Sequence, residues 1–164
     1  MRLLLAAAVL AAFAFTGCDR GQPAAQVSPE AQAFLDRNKA EPGVKTTASG
    51  LQYKVVRAGA ADGRKPQPGD EVKVHYEGTL LDGTAFDSSY QQGAPAVFEV
   101  GQLVEGWNEA LQLMKPGDEW IVWIPPALGY GAEAKGPIPA NSVLRFRLQL
   151  ISVTPGVPTS PPGQ

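Results

Sequence analysis

The chain has 164 residues, a formal net charge of −2, 44% apolar and 18% charged residues. That composition is compatible with a packed globular core, the length allows one domain, and the absence of a basic patch argues against a nucleic-acid partner. There is one cysteine and one histidine, so an internal disulfide is excluded and a Cys/His metal cluster has no ligand set.

The first segment reads as an address rather than as part of a fold. Arg2 supplies a positive charge, and Leu3 to Phe15 is an apolar run, shorter than the roughly 20 residues a membrane-spanning helix needs. A charged start, a short apolar run and small residues after it describe a secretory signal. It ends Phe15-Thr16-Gly17-Cys18, which resembles a bacterial lipoprotein processing site, with Phe15 where the pattern usually has an aliphatic residue. The expectation is cleavage after residue 17, lipidation of Cys18, and a protein lipid-anchored to a membrane of the bacterial cell envelope, facing the periplasm. Lipidation also accounts for a lone thiol in a secreted chain.

Residues 18–45 read as a tether carrying a short helix between Ser28 and Ala40. Ser28 is at its cap, Pro29 at its first position, and Ala31, Phe34 and Leu35 lie on one side. Pro42-Gly43 ends it and Thr46 to Gly50 is turn-like. Leu51 to Ala58 alternates as a strand, and Gly59 to Gly69 is a loop. Val72, Val74 and Tyr76 alternate with Lys73, His75 and Glu77, the period of a half-buried strand. Asp82-Gly83 is a two-residue hairpin signal, and a second extended segment carries Phe86 and Asp87. Tyr76, Phe86 and Asp87 are thus expected together at one end of a sheet. Two aromatic walls and a carboxylate make a pocket, not a metal site.

After a loop at Ser88 to Pro95, Val97, Phe98 and Val100 suggest a short strand. Trp107, Leu111 and Met114 are spaced as one helix face, and Pro116-Gly117 stops the helix. Trp120, Val122 and Ile124 alternate with Ile121 and Trp123 in a strand whose two faces are both apolar. Pro126 to Asn141 is a long irregular loop, a kind that is usually functional or disordered. It holds Tyr130 between two glycines. Leu144, Phe146, Leu148 and Leu150 alternate in a last strand, and residues 154–164 read as a Pro-rich disordered tail. The sum is an α+β fold, a twisted antiparallel β-sheet wrapped around one short helix.

Several motifs then point to one family. The segment Val74 to Ser89, Val104-Glu105-Gly106-Trp107, Ile124 to Gly131, Ile138-Pro139-Ala140-Asn141 and Leu144-Arg145-Phe146 come in the order and spacing of the FKBP-type peptidyl-prolyl cis-trans isomerases. The resemblance covers roughly Gly50 to Val153, and residues 46–153 are expected to form the isomerase domain. It implies isomerisation of X-Pro bonds in folding envelope proteins, without a cofactor and without a metal. It assigns Asp87, Tyr130, Trp107 and Phe86 to the catalytic site, with Trp107 under the proline ring and Tyr130 donating to a ligand carbonyl. It assigns Tyr76, Leu103, Val104, Ile138 and Phe146 to substrate-binding walls, the Val104 N–H serving as a ligand donor. The implied partners are X-Pro-containing polypeptides and macrolides of the rapamycin and tacrolimus type.

Two positions depart from the family's cytosolic prototype. Gln92 stands where the prototype has an arginine paired with the aspartate, and Ala96 where it has a phenylalanine. The expectation is weaker macrolide binding and a less firmly oriented Asp87. Related periplasmic members often carry a long helical dimerisation arm. Only a stub precedes the domain here, so the expectation is a monomer.

Plainer readings stand beside these. Trp107, Leu111 and Met114 are also what a core stripe looks like, Tyr76 and Phe146 also suit a core, and Asp87 before Ser88-Ser89 also suits a turn. His75 is read as structural. A hydrolase triad of His75, Asp87 and Ser88 lacks the G-x-S-x-G elbow. The rival function is a non-catalytic peptide-binding chaperone or ligand-binding module on the same fold.

Overall fold

The computed structural model describes residues 27–156. Cys18, the signal segment and residues 157–164 lie outside them. In chain order the elements are α1 (Pro29–Asn38), β1 (Val44–Thr46), β2 (Gln52–Arg57), β3 (Glu71–Thr79), β4 (Ala85–Ser88), β5 (Ala96–Glu99), α2 (Glu105–Leu113), β6 (Glu119–Ile124) and β7 (Leu144–Thr154). All strand pairs are antiparallel. The sheet runs β1-β2-β6-β7-β3-β4, and β5 also pairs with β3. This is the α+β architecture that the alternation patterns imply.

The concave face of the sheet closes on α2. Trp107, Ala110, Leu111 and Met114 from the helix meet Val72, Val74, Trp120, Val122, Ile124, Leu148 and Leu150 from the strands. Helix and sheet approach closely because residue 106 is glycine. A Cβ there would lie 2.6 Å from Ile124 Cγ2. Asn108 clamps the loop leading into the helix, accepting from the Gly101 N–H at 2.8 Å and donating to the Leu103 carbonyl at 2.7 Å. After the helix, the Asp118 carboxylate accepts from the Lys115 N–H at 2.8 Å, and Gly117 turns with φ +91°.

The opposite face answers a question that periodicity leaves open. Trp123 and Ile121 point away from α2. Trp123 packs with Ala31, Leu35 and Val143 in a second core, with Phe34, Val44 and Ile121 around it. Helix α1 is therefore docked on the sheet. Asn38 Nδ2 donates to Gln52 Oε1 at 2.8 Å, and Gln52 Nε2 donates to the Leu35 carbonyl at 2.9 Å. The stretch read as tether and turn also contributes strand β1, which pairs with β2 from Val44 to Thr46. At the other end, Thr154 still pairs with Glu71, and the Gly156 N–H donates to Asp70 Oδ1 at 3.0 Å.

Trp123→Ala removes the centre of this second core. Truncating a buried tryptophan costs about 3–5 kcal/mol, and amide exchange in α1 should accelerate far more than in α2. Retained protection of the α1 amides would show that α1 is held by the Asn38–Gln52 bonds alone.

Candidate functional site

The hairpin between β3 and β4 is wider than the Asp82-Gly83 dipeptide suggests. The Leu80 N–H donates to the Thr84 carbonyl at 2.9 Å, so three residues, Leu81 to Gly83, form the loop. Gly83 has φ +89°, the left-handed position of a three-residue hairpin. The Asp82 carboxylate accepts from the Thr84 N–H at 2.8 Å, an Asx-type turn.

The register shifts one pair beyond this loop. Thr79 pairs with Ala85, but the next residue back, Gly78, pairs with Asp87. Phe86 is left as the extra residue of a β-bulge, the device that re-aims side chains in a ladder. In a regular strand Phe86 and Asp87 would face opposite ways. Here both line one cavity of about 290 Å³, together with Tyr76, Trp107, Tyr130 and Phe146. The volume is just below the ~300–1,000 Å³ usual for ligand sites.

Trp107 is the floor. Its indole is 4% exposed. Tyr76, Phe98 and Phe146 stand edge-on to it at centroid distances of 5.2, 5.6 and 5.2 Å, with interplanar angles of 82°, 84° and 87°. Edge-to-face contacts align ring hydrogens with the negative face of a neighbouring ring. Phe86 stands edge-on to Phe146 at 5.5 Å. Both rings lie over Gly78, where a Cβ would be 2.6 Å from Phe86 Cε2 and 2.7 Å from Phe146 Cε1. Any side chain at 78 would push the wall rings out of place.

One polar corner interrupts the aromatic lining. Tyr76 Oη donates to Asp87 Oδ2 at 2.7 Å, and Gln92 Nε2 donates to Asp87 Oδ1 at 3.2 Å. Gln92 thus replaces the arginine's charge with a neutral amide but still reaches the carboxylate. Asp87 has no ion pair among the described residues, yet each oxygen has a donor. The expected loss of orientation is corrected to that extent. Burial, and then the hydrogen bond to Asp87, push the Tyr76 phenol up to about 12, from about 10 in a free tyrosine. Tyr76 is therefore the donor throughout the neutral range.

A phenol held protonated by the fold stabilises it fully below pH ~10, and that contribution is lost as pH rises through the folded value. Phenolate absorbance should show one tyrosine titrating near 12 and the fold weakening between pH ~10 and 12. Asp87→Asn should lower that value only part of the way towards 10, because burial is the larger cause. A tyrosine titration with no member above the usual range would overturn the assignment.

The remaining wall comes from two loops. Leu103 and Val104 line the cavity just before α2. The Val104 N–H has no acceptor among the described residues, while its carbonyl accepts from Trp107 and Asn108. Ile138 lines the other side and is 5% exposed. Tyr130 lies at the rim in a pinned loop. Its neighbour Gly131 donates to the Pro126 carbonyl at 2.9 Å and accepts from the Asn141 N–H at 2.7 Å. The Tyr130 hydroxyl has no partner among the described residues. The nine catalytic and substrate-binding residues picked out in the sequence all lie on this one cavity.

Phe98, Lys135 and Pro137 line it as well and were not picked out. Phe98 was legible as the inward member of the β5 alternation, and it supplies the aromatic edge that Ala96 does not. Lys135 and Pro137 sit in an irregular loop and carry no periodic signal. His75 takes no part. Its ring stacks on Tyr90 at 4.6 Å, and its Nδ1 shares a 3.0 Å hydrogen bond with the Ser89 hydroxyl. That hydroxyl also receives the Tyr76 N–H at 2.9 Å. The partner is Ser89 rather than Ser88, and Asp87 is engaged by Tyr76, so no triad forms. Among the described residues no cluster of His, Cys, Asp or Glu is arranged to hold a metal ion, and no helix is long and apolar enough to cross a membrane.

Fold and site together define an α+β domain with an aromatic-floored cavity edged by a few hydrogen-bonding groups. Residues 62–151 match the family described as FKBP-type peptidyl-prolyl cis-trans isomerase, and residues 8–55 match the domain amino-terminal to it. The chain belongs to this family. It is 52% identical over 125 residues to the peptidyl-prolyl cis-trans isomerase Mip of Coxiella burnetii, covering 76% of this chain and 54% of that protein. It is 51% identical over 122 residues to the outer membrane protein MIP of Legionella longbeachae, covering 74% and 52%. The crystal structure of FkpA from Escherichia coli superposes with a TM-score of 0.72 at 41% identity, over 76% of this chain and 57% of that one. The chain spans about half the length of the curated relatives it matches.

Proposed function

We propose that the protein is a peptidyl-prolyl cis-trans isomerase acting on X-Pro bonds in extended polypeptide segments. The observation that carries this reading is the Trp107 floor with three rings edge-on around it, an apolar seat suited to a proline ring. Rotation about a peptide bond is opposed by a barrier of about 18–20 kcal/mol that arises from amide resonance. The planar amide is the more dipolar state. A dry aromatic cavity is a poorer solvent for it than for the twisted amide, and only such a difference between ground and transition state accelerates the reaction.

Within this reading the proline ring rests on Trp107 between Tyr76, Phe86 and Phe146. The free Val104 N–H and Tyr130 hydroxyl hold carbonyls of the substrate on either side of the rotating bond. Asp87, held by Tyr76 and Gln92, aligns polar groups at the cavity edge. Leu103 and Ile138 keep water from the amide. Macrolides of the rapamycin type occupy the same seat, more weakly than in the cytosolic prototype because Ala96 and Gln92 leave the rim less filled.

We further propose that residues 1–17 are a signal peptide, that Cys18 carries lipid, and that the protein faces the periplasm, anchored in the bacterial envelope. One relative's name, outer membrane protein MIP, supports a membrane address. Replacing Cys18 by Ser should move the protein from the membrane fraction to the soluble one. Retention in the membrane would refute the anchor.

The activity is tested by a protease-free proline-isomerisation assay on a Leu-Pro peptide, with and without rapamycin. Turnover that rapamycin inhibits supports the isomerase at the Trp107 cavity. Turnover that rapamycin leaves untouched keeps the isomerase and removes the macrolide assignment. No turnover from folded protein refutes the isomerase and favours the peptide-binding module.

A further inference from the structure

The cavity carries two charged lining residues, Asp87 and Lys135. They are not equivalent. Both oxygens of Asp87 are engaged, by Tyr76 and by Gln92. Lys135 is exposed, and none of the ion pairs among the described residues includes it or the neighbouring Glu133. Its backbone is nevertheless fixed. The Lys135 N–H donates to the Ile138 carbonyl at 2.9 Å, and the Ile138 N–H donates back to the Lys135 carbonyl at 3.0 Å. Gly136, with φ +55°, closes the turn between them. Because the Ile138 side chain is buried in the main core, this turn ties the base of the lysine to the cavity wall, while its side chain is exposed.

We propose that Lys135 is a specificity determinant that favours substrates with an acidic residue directly flanking the proline. This rests on the isomerase reading. A proline seated on Trp107 places its neighbours at the rim, where the ammonium is the one cation lining the cavity among the described residues. A mobile lysine tethered at a fixed point suits a carboxylate on a flexible substrate, since three donors on a long stem accept many geometries. The whole molecule works against such a preference. Its net charge is −2, so long-range attraction favours basic peptides, and a preference for acidic ones requires a local source.

The test uses the full-length protein and two pairs of short peptides, one with Glu or Gln before the proline and one with Glu or Gln after it, beside a Leu-Pro reference. The readout is the Glu:Gln ratio of kcat/KM within each variant, which cancels any general change in activity or folding. Partly exposed ion pairs are modest, so the expected ratio is about 2–5 for one of the two positions at low salt. It should fall towards one at high salt. It should be near one in Lys135→Gln and below one in Lys135→Glu. A ratio at or below one at both positions, or a ratio that Lys135→Gln leaves unchanged, overturns the assignment while turnover of the Leu-Pro peptide preserves the isomerase. No turnover of any peptide removes both.

Discussion

Trp107→Ala is expected to lower stability by about 3–5 kcal/mol, as truncation of a buried tryptophan does, and to abolish measurable proline isomerisation. The side chain is buried at the junction of α2, β3, β5 and β7, and three aromatic rings stand edge-on to it. Such pairs contribute about 0.5–1.5 kcal/mol each beyond area burial. A loss of this size is a large part of the about 5–15 kcal/mol that holds a domain folded. Activity must therefore be measured at low temperature on protein shown to be folded. Trp107→Phe separates the two effects. It keeps an aromatic floor, so most of the stability should remain, while kcat/KM falls roughly tenfold because a smaller ring supports the proline less well. A Trp107→Ala protein that loses less than about 1 kcal/mol in urea unfolding would show that the rings do not depend on the indole. Full activity in Trp107→Phe would show that the indole is not the seat.

The second large effect is expected at Asp87. Asp87→Ala should lower kcat/KM by about 10–100-fold, the equivalent of one hydrogen bond to a charged group, with little change in stability because the residue is at the exposed edge of β4. Tyr76→Phe removes the donor to Asp87 Oδ2, a 2.7 Å bond. If the phenol acts by orienting the carboxylate, the two changes are not additive. The double variant should lose scarcely more than Asp87→Ala alone. Additive losses in this cycle would mean that Tyr76 contributes through its ring and not through Asp87. The cycle also distinguishes catalysis from mere binding: if Asp87 only caps a turn, peptide turnover survives its removal.

Much of this was readable in advance. Alternation over Val72 to Glu77 and over Leu144 to Leu150 is a local consequence of one face being buried, and those residues are buried as the period requires. The spacing of Trp107, Leu111 and Met114 brings three side chains to one side of α2, and all three are in the core. Ser28 caps α1 by accepting from the Ala31 N–H at 3.2 Å, with Pro29 at the first position, as the residue types implied. The plainer readings also held in part. Trp107, Tyr76 and Phe146 belong to the core and line the cavity at once, so core and site are not alternatives for a fold whose pocket is a gap at the end of its core.

By itself, then, the sequence determined every strand but β1, the two helices and the residue types available to a pocket, because periodicity, caps and turn residues act over a few neighbours. Only the tertiary structure decided how those residues meet. The bulge that turns both Phe86 and Asp87 into the cavity shows only in the pairing of β3 with β4, where Thr79 meets Ala85 but Gly78 meets Asp87. Gly78 is needed because it lies opposite both Asp87 on β4 and Phe146 on β7, a coincidence of two pairings, one of them across a long stretch of chain. Trp123 could have faced either side until α1 covered one. Lys135 lines the cavity from a turn tied to Ile138, whose side chain is in the core. The pairing of Gly78 with Phe146 and the cover of Trp123 by α1 rest on contacts between segments distant in the chain, and local pattern carries no information about which distant segment will supply the other half of a contact.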